Sequence, residues 1–213
     1  MDVFSKLAKR YDAWYDSETG RPLYESEILC LRPFVAELQE PLLEIGTGTG
    51  RFATRFSGVV GIDPAYGALK IASMRGISSV LGVGEILPFR DESFGGVLII
   101  MTLCFIEKPI EVLRESWRVL CPGGGLILGT VPKNSNWGAF YLLKKREGNP
   151  FFEKMQLYTF EEIERMLQKT GFKVEKIRST LLKRPREKSI VEKSSNAYKE
   201  TAGFTCLLLR RID

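Results

Sequence analysis

The chain has 213 residues, a hydrophobic content of 44% and a formal net charge of +5, and it contains no histidine. Without histidine, no Ser-His-Asp or Cys-His triad can form, and the imidazole ligands of most metal sites are missing. The cysteines lie far apart without a Cys-x-x-Cys pair, so we expect neither a metal site nor a disulfide framework. No apolar run reaches the roughly 20 residues that span a bilayer, and the first residues lack a signal-peptide core, so we expect a cytoplasmic protein without a membrane span.

The N-terminal segment carries two helical patterns. Apolar residues recur at helical spacing and mark one face of a first helix: Phe4, Leu7, Ala8, Tyr11 and Trp14. Gly20-Arg21-Pro22 is expected to break this pattern, because glycine and proline disfavour a helix interior. A second helical pattern then extends from Tyr24 to Leu38.

A glycine-rich turn follows the first strand pattern. The apolar run Leu42–Ile45 leads into Gly46, Gly48 and Gly50, which predicts a buried strand that turns sharply into a helix. Without a Cβ, the turn lets a ligand approach the backbone closely. Phe52 and Phe56 are four residues apart and are expected to pack from this helix onto the sheet.

A second strand ends in a carboxylate. The apolar run Val59–Ile62 precedes Asp63, which can accept hydrogen bonds from both hydroxyl groups of a ribose. Because the carboxyl ends of parallel strands meet at one edge of a sheet, the glycine turn and Asp63 together predict a nucleoside site.

The spacing of the turn favours one kind of nucleoside. A dinucleotide fingerprint reads Gly-x-Gly-x-x-Gly, but Arg51 occupies the position of the third glycine. Asp63 also follows Gly46 by only seventeen residues, where roughly twenty or more are usual. Both features favour S-adenosylmethionine, which has no diphosphate, over NAD. Glu44 is suited to its ammonium group, directly or through water.

The rest of the chain alternates strands and helices, which predicts an α/β fold with a parallel sheet covered on both faces. The predicted helices are Ala65–Arg75, ended by Gly76, Ile110–Leu120, and Phe160–Lys169, capped by Thr159; the predicted strands are Ser78–Val83, Phe94–Met101, Leu126–Val131, Phe172–Ser179 and Phe204–Arg210.

Four blocks, in this order, resemble class I S-adenosylmethionine-dependent methyltransferases of the ubiquinone/menaquinone-biosynthesis-like, or type 11, branch: 42–50, 59–65, 84–97 and 111–125. The resemblance implies a Rossmann-like, doubly wound seven-stranded sheet of order 3-2-1-4-5-7-6 with strand 7 antiparallel. It also implies a single methyltransferase domain over residues 1–213. Its parts would be N-terminal lid helices at 1–38, a cofactor-binding core at 41–131, an aromatic substrate-cover insertion at 132–157, and a C-terminal helix and strand hairpin at 158–213.

The cofactor-binding residues predicted from these patterns and from the resemblance are Glu44, Gly46, Thr47, Gly48, Asp63, Pro64, Gly84, Glu85, Ile86, Thr102, Tyr11 and Trp14. The resemblance implies that Tyr11 and Trp14 belong to a lid over the cofactor, although the buried side of a docking helix explains them equally well. The backbone of residues 84–86 would read the adenine edge, and Thr102 would border the methyl group.

Three positions depart from the family pattern. Val83 replaces the acid that binds the adenine amino group, Gly95 replaces an aspartate, and Leu103-Cys104-Phe105 replaces Leu-His-His. Adenine binding is expected to depend more on backbone groups, and the methyl-transfer end of the site is expected to be more apolar.

The predicted reaction is in-line displacement of the methyl group from the sulfonium to a small-molecule acceptor, whose identity the sequence does not indicate. Glu107, Tyr141 and Tyr158 are equal candidates for a base, so we assign no catalytic residue. Two alternatives remain open. The basic stretch 183–211 would suit a nucleic-acid methyltransferase, although no interleaved aromatic residues favour nucleic acid. The departures from the family pattern would also suit a non-catalytic relative that only binds the cofactor.

Overall fold

The structure is a computed structural model that describes residues 3–212. The predicted lid and hairpin segments therefore extend, at residues 1, 2 and 213, outside the described residues. The α-helices are α1 (Val3–Lys6), α2 (Ala8–Trp14), α3 (Gly20–Val35), α4 (Tyr66–Met74), α5 (Pro109–Val119), α6 (Asn136–Arg146) and α7 (Phe160–Gln168). The strands are β1 (Leu42–Ile45), β2 (Val59–Asp63), β3 (Ser78–Leu81), β4 (Phe94–Ile100), β5 (Leu120–Thr130), β6 (Phe172–Thr180) and β7 (Phe204–Arg211).

The seven strands form one sheet in the order β3-β2-β1-β4-β5-β7-β6. β1 pairs in parallel with β2 and β4, whereas β7 runs antiparallel to both β5 and β6. The predicted fold class, strand order and antiparallel seventh strand are confirmed. Among the described residues, no helix is long and apolar enough to cross a membrane.

Apolar side chains cover both faces of the sheet. Leu42 packs into a core with α3 on one face, and Leu43 and Ile45 pack into a second core with α5 and α7 on the other. Because side chains alternate along a strand, Glu44 belongs to the face of Leu42. On β2 the same alternation groups Asp63 with Val59, which packs in the α3 core. The two acids therefore extend from the same face of the sheet.

The predicted helix after the glycine turn does not form. The segment contains only a 3₁₀ turn, Ala53–Arg55, although Phe52 is buried as expected. Eight residues separate Gly50 from Val59, which is too few for a stable helix and two connections.

Gly20-Arg21-Pro22 does not break a helix but begins α3. Proline is tolerated in a first helical turn, where its missing N–H has no intrahelical partner. Only glycine fits at position 20, because a Cβ there would lie 2.0 Å from the Trp14 carbonyl oxygen.

The start of β5 differs from the sequence prediction, whereas the start of α7 agrees with it. β5 begins at Leu120 rather than Leu126, because Leu120 pairs with Phe94 before a register shift to Gly96. The predicted cap of α7 is confirmed: Thr159 accepts a hydrogen bond from the Glu162 N–H, and the Glu162 carboxylate accepts one from the Thr159 N–H.

The structure explains the glycine that replaces the family's aspartate. The Gly95 N–H donates a hydrogen bond to the Pro41 carbonyl oxygen over 3.0 Å. A Cβ at residue 95 would lie 2.2 Å from the Gln39 carbonyl oxygen, which belongs to the backbone. No side chain fits there without moving the chain that leads into β1.

We predict that Gly95→Ala lowers the free energy of unfolding by about 1–3 kcal/mol, the usual cost of overpacking. Gly82→Ala is the control, because its Cβ would meet only the tip of Ile62 at 3.0 Å, and it should change stability by less than about 1 kcal/mol. Urea denaturation measures both. Equal stability of the two variants would show that the segment before β1 yields easily.

Candidate functional site

A cavity of about 610 Å³ lies at the carboxyl ends of β1 and β2, a size typical of small-molecule sites. The glycine turn, the loop after β3 and the end of β4 form its base. Residues of α1 and α2 cover one side, and residues 150–154 cover another. Segments that are distant in sequence therefore line one cavity.

The cavity brings together most of the predicted cofactor-binding residues. Those that line it are Tyr11, Gly46, Thr47, Gly48, Asp63, Pro64, Gly84, Glu85 and Thr102. Glu44, Ile86 and Trp14 are not part of its lining. Their roles, like those of the lining residues, stay predictions.

The glycine turn presents backbone to the cavity. Gly46 has a φ of 75°, and a Cβ there would lie 2.1 Å from Cγ2 of Thr102. Gly48 has a φ of 53°, and a Cβ there would have no atom of the described chain within 4 Å. The first glycine is required for close packing, and the second leaves open space where a ligand can approach the backbone.

Asp63 joins the two strand ends. Its Oδ2 accepts a hydrogen bond from the Gly48 N–H at 2.9 Å, and its Oδ1 accepts one from the Ala65 N–H at 2.7 Å. The side chain is almost buried yet lines the cavity. Because each carboxylate oxygen has a second lone pair, Asp63 holds the turn in place and can still accept ligand hydroxyl groups.

Glu44 is buried beneath the turn rather than in the cavity wall. Its Oε2 accepts a hydrogen bond from the Thr47 hydroxyl at 2.7 Å. Burial, reinforced by the charge of Asp63, raises the pKa of Glu44 to about 8 although the Thr47 hydrogen bond opposes this shift. Thr47 lines the cavity and Glu44 does not, so Glu44 orients a lining residue, and its predicted contact with the ammonium group stays a prediction.

Of the two predicted lid aromatic residues, Tyr11 lines the cavity and Trp14 does not, whereas Tyr15, which was not predicted, does. Trp14 is 39% exposed and packs edge-on against Tyr15, with ring centroids 5.2 Å apart. Tyr15 is buried, lines the cavity and shares a 2.8 Å hydrogen bond between hydroxyl groups with Tyr11. The sequence contains a signal for Tyr15 as a lining residue, because a residue four positions after Tyr11 lies on the same face of a helix. Ile86, also predicted, is 77% exposed on the loop surface.

The carboxylate of Asp12, which the sequence did not single out, fastens α2 to the glycine turn. It accepts hydrogen bonds from the Thr49 hydroxyl at 2.7 Å, from Arg51 Nε at 2.9 Å and from both terminal nitrogens of Arg75 at 2.8 Å. Partial burial opposes ionisation, but these donors hold the pKa of Asp12 well below its usual range. Arg51, at the position of the missing third glycine, therefore helps to attach α2 to the glycine turn.

Aromatic residues that line the cavity contact one another and form an aromatic wall. Phe4 contacts Tyr11, Phe105 and Phe151, with centroid distances of 5.4, 5.1 and 5.9 Å. Of the aromatic residues in the predicted substrate-cover insertion, Phe151 reaches this wall. The others with described core contacts, Trp137, Phe140, Tyr141 and Phe152, pack against the α3 core.

The remaining candidates divide between cavity and core. Glu107 lines the cavity, whereas Tyr141 and Tyr158 do not, and burial raises the pKa of both tyrosines. At the positions of Leu-His-His, Phe105 lines the cavity, while Leu103 and Cys104 are buried in the two cores. The apolar character expected at this end of the site is present.

The chain is similar to known methyltransferases. A family model described as a methyltransferase domain matches residues 43–128. The structure of an S-adenosylmethionine-dependent methyltransferase from Thermotoga maritima, described as a possible histamine N-methyltransferase, matches with a TM-score of 0.88 and 32% identity over 98% of this chain and 97% of that chain.

Two relatives extend this similarity. An uncharacterized protein of Mycobacterium tuberculosis is 40% identical over 201 residues, which are 94% of this chain and 70% of that protein. The ubiquinone biosynthesis O-methyltransferase of Hahella chejuensis is 31% identical over 163 residues, 66% of this chain and 67% of that protein. The resemblance carried by the four sequence blocks is confirmed.

We predict that Asp12→Ala lowers the free energy of unfolding by about 1.5–3 kcal/mol, because hydrogen bonds from charged donors lose their acceptor. Asp16→Ala is the control: Asp16 also pairs with Arg51, but its side chain is 52% exposed, so its loss should cost less than about 1 kcal/mol. Chemical denaturation compares the two, and an equal loss would contradict the special position of Asp12.

A pH dependence follows from Glu44. The folded protein holds the Glu44 proton up to a pKa of about 8, whereas the unfolded chain releases it near 4.5. Wild-type stability therefore falls as pH rises between these values, because unfolding releases a proton. Glu44→Gln retains an acceptor for Thr47 but has no proton to lose. Its melting temperature should gain on that of the wild type from about pH 5 to about pH 8, and a constant difference would contradict the raised pKa.

Proposed function

Because this chain belongs to the S-adenosylmethionine-dependent methyltransferases, we propose that it transfers a methyl group to a small-molecule acceptor in the cavity described above. Family membership implies that S-adenosylmethionine is its cofactor. The observation that carries the proposal is one cavity lined both by the glycine turn with Asp63 and by the aromatic residues Phe4, Tyr11, Phe105 and Phe151. The free cysteines fit a reducing compartment such as the cytoplasm.

The cavity offers groups that fit the cofactor. The open space at Gly48 suits close contact with the backbone, and the Asp63 oxygens suit the ribose hydroxyl groups. Gly84 leaves room for the loop to pass over β1, since a Cβ there would lie 2.7 Å from Cγ2 of Ile45. This loop presents Val83 and Glu85 to the cavity, where its backbone suits an adenine edge. When bound, S-adenosylmethionine supplies a methyl group on a positively charged sulfur.

The chain's own contribution is alignment and exclusion of water. α1, α2 and Phe151 cover the cavity, and the aromatic wall supplies an apolar surface against which an acceptor can be held. Holding two reactants in attack geometry lowers a barrier by about 7–11 kcal/mol, which suits in-line displacement without a covalent enzyme intermediate. Of the three base candidates, only Glu107 lies in the cavity lining, and we assign it no role.

The size of the cavity, about 610 Å³, favours a small acceptor over a polymer. The relatives with named activities, a possible histamine N-methyltransferase and a ubiquinone biosynthesis O-methyltransferase, carry names of small-molecule enzymes. At the basic C-terminal end, Arg210 pairs with Glu175 and Arg211 with Glu92, which reduces the charge available to a nucleic acid.

Transfer of a labelled methyl group tests the proposal. The protein is incubated with labelled S-adenosylmethionine and either a small-metabolite extract or total RNA. We expect label in the small-molecule fraction only. Label in RNA alone would overturn the proposal in favour of a nucleic-acid enzyme, and absence of transfer by a protein that binds the cofactor would identify a non-catalytic relative.

We predict that Asp63→Ala weakens S-adenosylmethionine binding by about 1–3 kcal/mol, or about 5- to 150-fold, because ribose hydroxyl groups lose their acceptor and Gly48 loses its support. Asp91→Ala, with a side chain that is 75% exposed, should leave binding unchanged. Isothermal titration measures both variants. Unchanged affinity of Asp63→Ala would place the ribose elsewhere.

A further inference from the structure

Glu27 is a buried acid that the fold does not explain. It lies in the middle of α3 and is 5% exposed. One helical turn before and after it, Leu23 and Leu31 are buried apolar residues. Within residues 3–212 its carboxyl group has no hydrogen bond and no ion pair, whereas Glu25 on the same helix pairs with Arg55 at 2.7 Å. An unpaired buried acid costs stability, so packing alone does not account for it.

The surroundings of Glu27 are aromatic and lead to the cavity. Tyr24, one turn before Glu27 on α3, packs edge-on against Tyr15 with ring centroids 5.3 Å apart. Tyr11, Tyr15 and Tyr141 pack in the same core as Leu23 and Leu31, which flank Glu27 on α3. Tyr11 and Tyr15 line the cavity, while Glu27 does not. Burial raises the pKa of Glu27 to about 8. An acid that can carry a charge when a cation approaches therefore lies in the same core as two of the rings that line the cavity.

We propose that Glu27, with the rings of Tyr11 and Tyr15, makes the aromatic end of the cavity a recognition site for an amine, whose nitrogen is the methyl acceptor. This inference rests on the proposed function. Aromatic faces and a nearby carboxylate both attract a positive nitrogen, and both act more strongly where water is excluded. A neutral acceptor such as an alcohol gains neither interaction.

The reaction leaves a positive charge on the acceptor nitrogen. An amine that arrives as ammonium first gives its proton to water. The nitrogen lone pair then forms the new N–CH₃ bond as the S–CH₃ bond breaks, and the electron pair of that bond stays on sulfur. The sulfur becomes a neutral thioether and the nitrogen becomes positive. Glu27 is thus a positioning residue that favours charge at the nitrogen, and it does not touch the reacting atoms.

A pair of probes that differ in charge tests this inference. 2-Phenylethylamine and 2-phenylethanol have the same skeleton, and each is titrated into the wild-type protein saturated with S-adenosylhomocysteine. We expect the amine to bind about tenfold more tightly or better, as a desolvated cation interaction implies. In Glu27→Gln the preference should fall to about twofold or less, with S-adenosylhomocysteine affinity unchanged. The melting temperature should be equal or higher, because the variant no longer has to keep an unpartnered acid protonated in the core. Glu25→Gln, the matched control, should keep the preference.

The outcomes separate this inference from the function it rests on. A wild-type protein that binds S-adenosylhomocysteine but does not prefer the amine overturns the inference and leaves the methyltransferase proposal intact. A Glu27→Gln protein that melts earlier and binds both probes and S-adenosylhomocysteine more weakly shows a structural role, which also overturns the inference. Failure of the wild type to bind S-adenosylhomocysteine contradicts the proposed function itself.

Discussion

The hydrogen bonds of the Asp12 carboxylate hold the part of the cavity lining that α2 supplies. A doubly wound sheet exposes the ends of its parallel strands, and a ligand bound there is open to water unless another segment covers it. Asp12 collects donors from the glycine turn and from the residue that follows α4, and so holds α2 against both. Tyr11 and Tyr15, on either side of Asp12 in the sequence, line the cavity, whereas Asp12 does not. α2 and the glycine turn are therefore joined directly by hydrogen bonds.

Arg51 connects two departures from a dinucleotide fold. In such a fold the third glycine lets a helix pack closely beneath a pyrophosphate. Here the side chain of Arg51 turns to Asp12 and Asp16, and only a 3₁₀ turn follows. Arg51 therefore attaches α2 to the glycine turn, and no helix forms that could pack beneath a diphosphate.

Periodic patterns were sufficient to predict most element positions, and the resemblance carried by four ordered motifs predicted the sheet order. The glycine turn and Asp63 line one cavity, as their places at the ends of two parallel strands predict. Errors arose where tertiary contacts overrode local pattern. Gly20 begins a helix because the Trp14 carbonyl group leaves no room for a side chain, and Gly95 excludes the family's aspartate for the same kind of reason. Asp12 and Glu27 were missed because a carboxylate's partners, or its lack of them, depend on residues distant in sequence.

A crystal structure of the protein with S-adenosylhomocysteine tests most directly whether this cavity is the methyl-transfer site. We predict that the ribose hydroxyl groups lie about 2.7–3.0 Å from the Asp63 carboxylate oxygens, with the sulfur directed to the aromatic wall under α2. A ligand bound outside the cavity, or an Asp63 carboxylate turned away from the ribose, would contradict the assignment of the site.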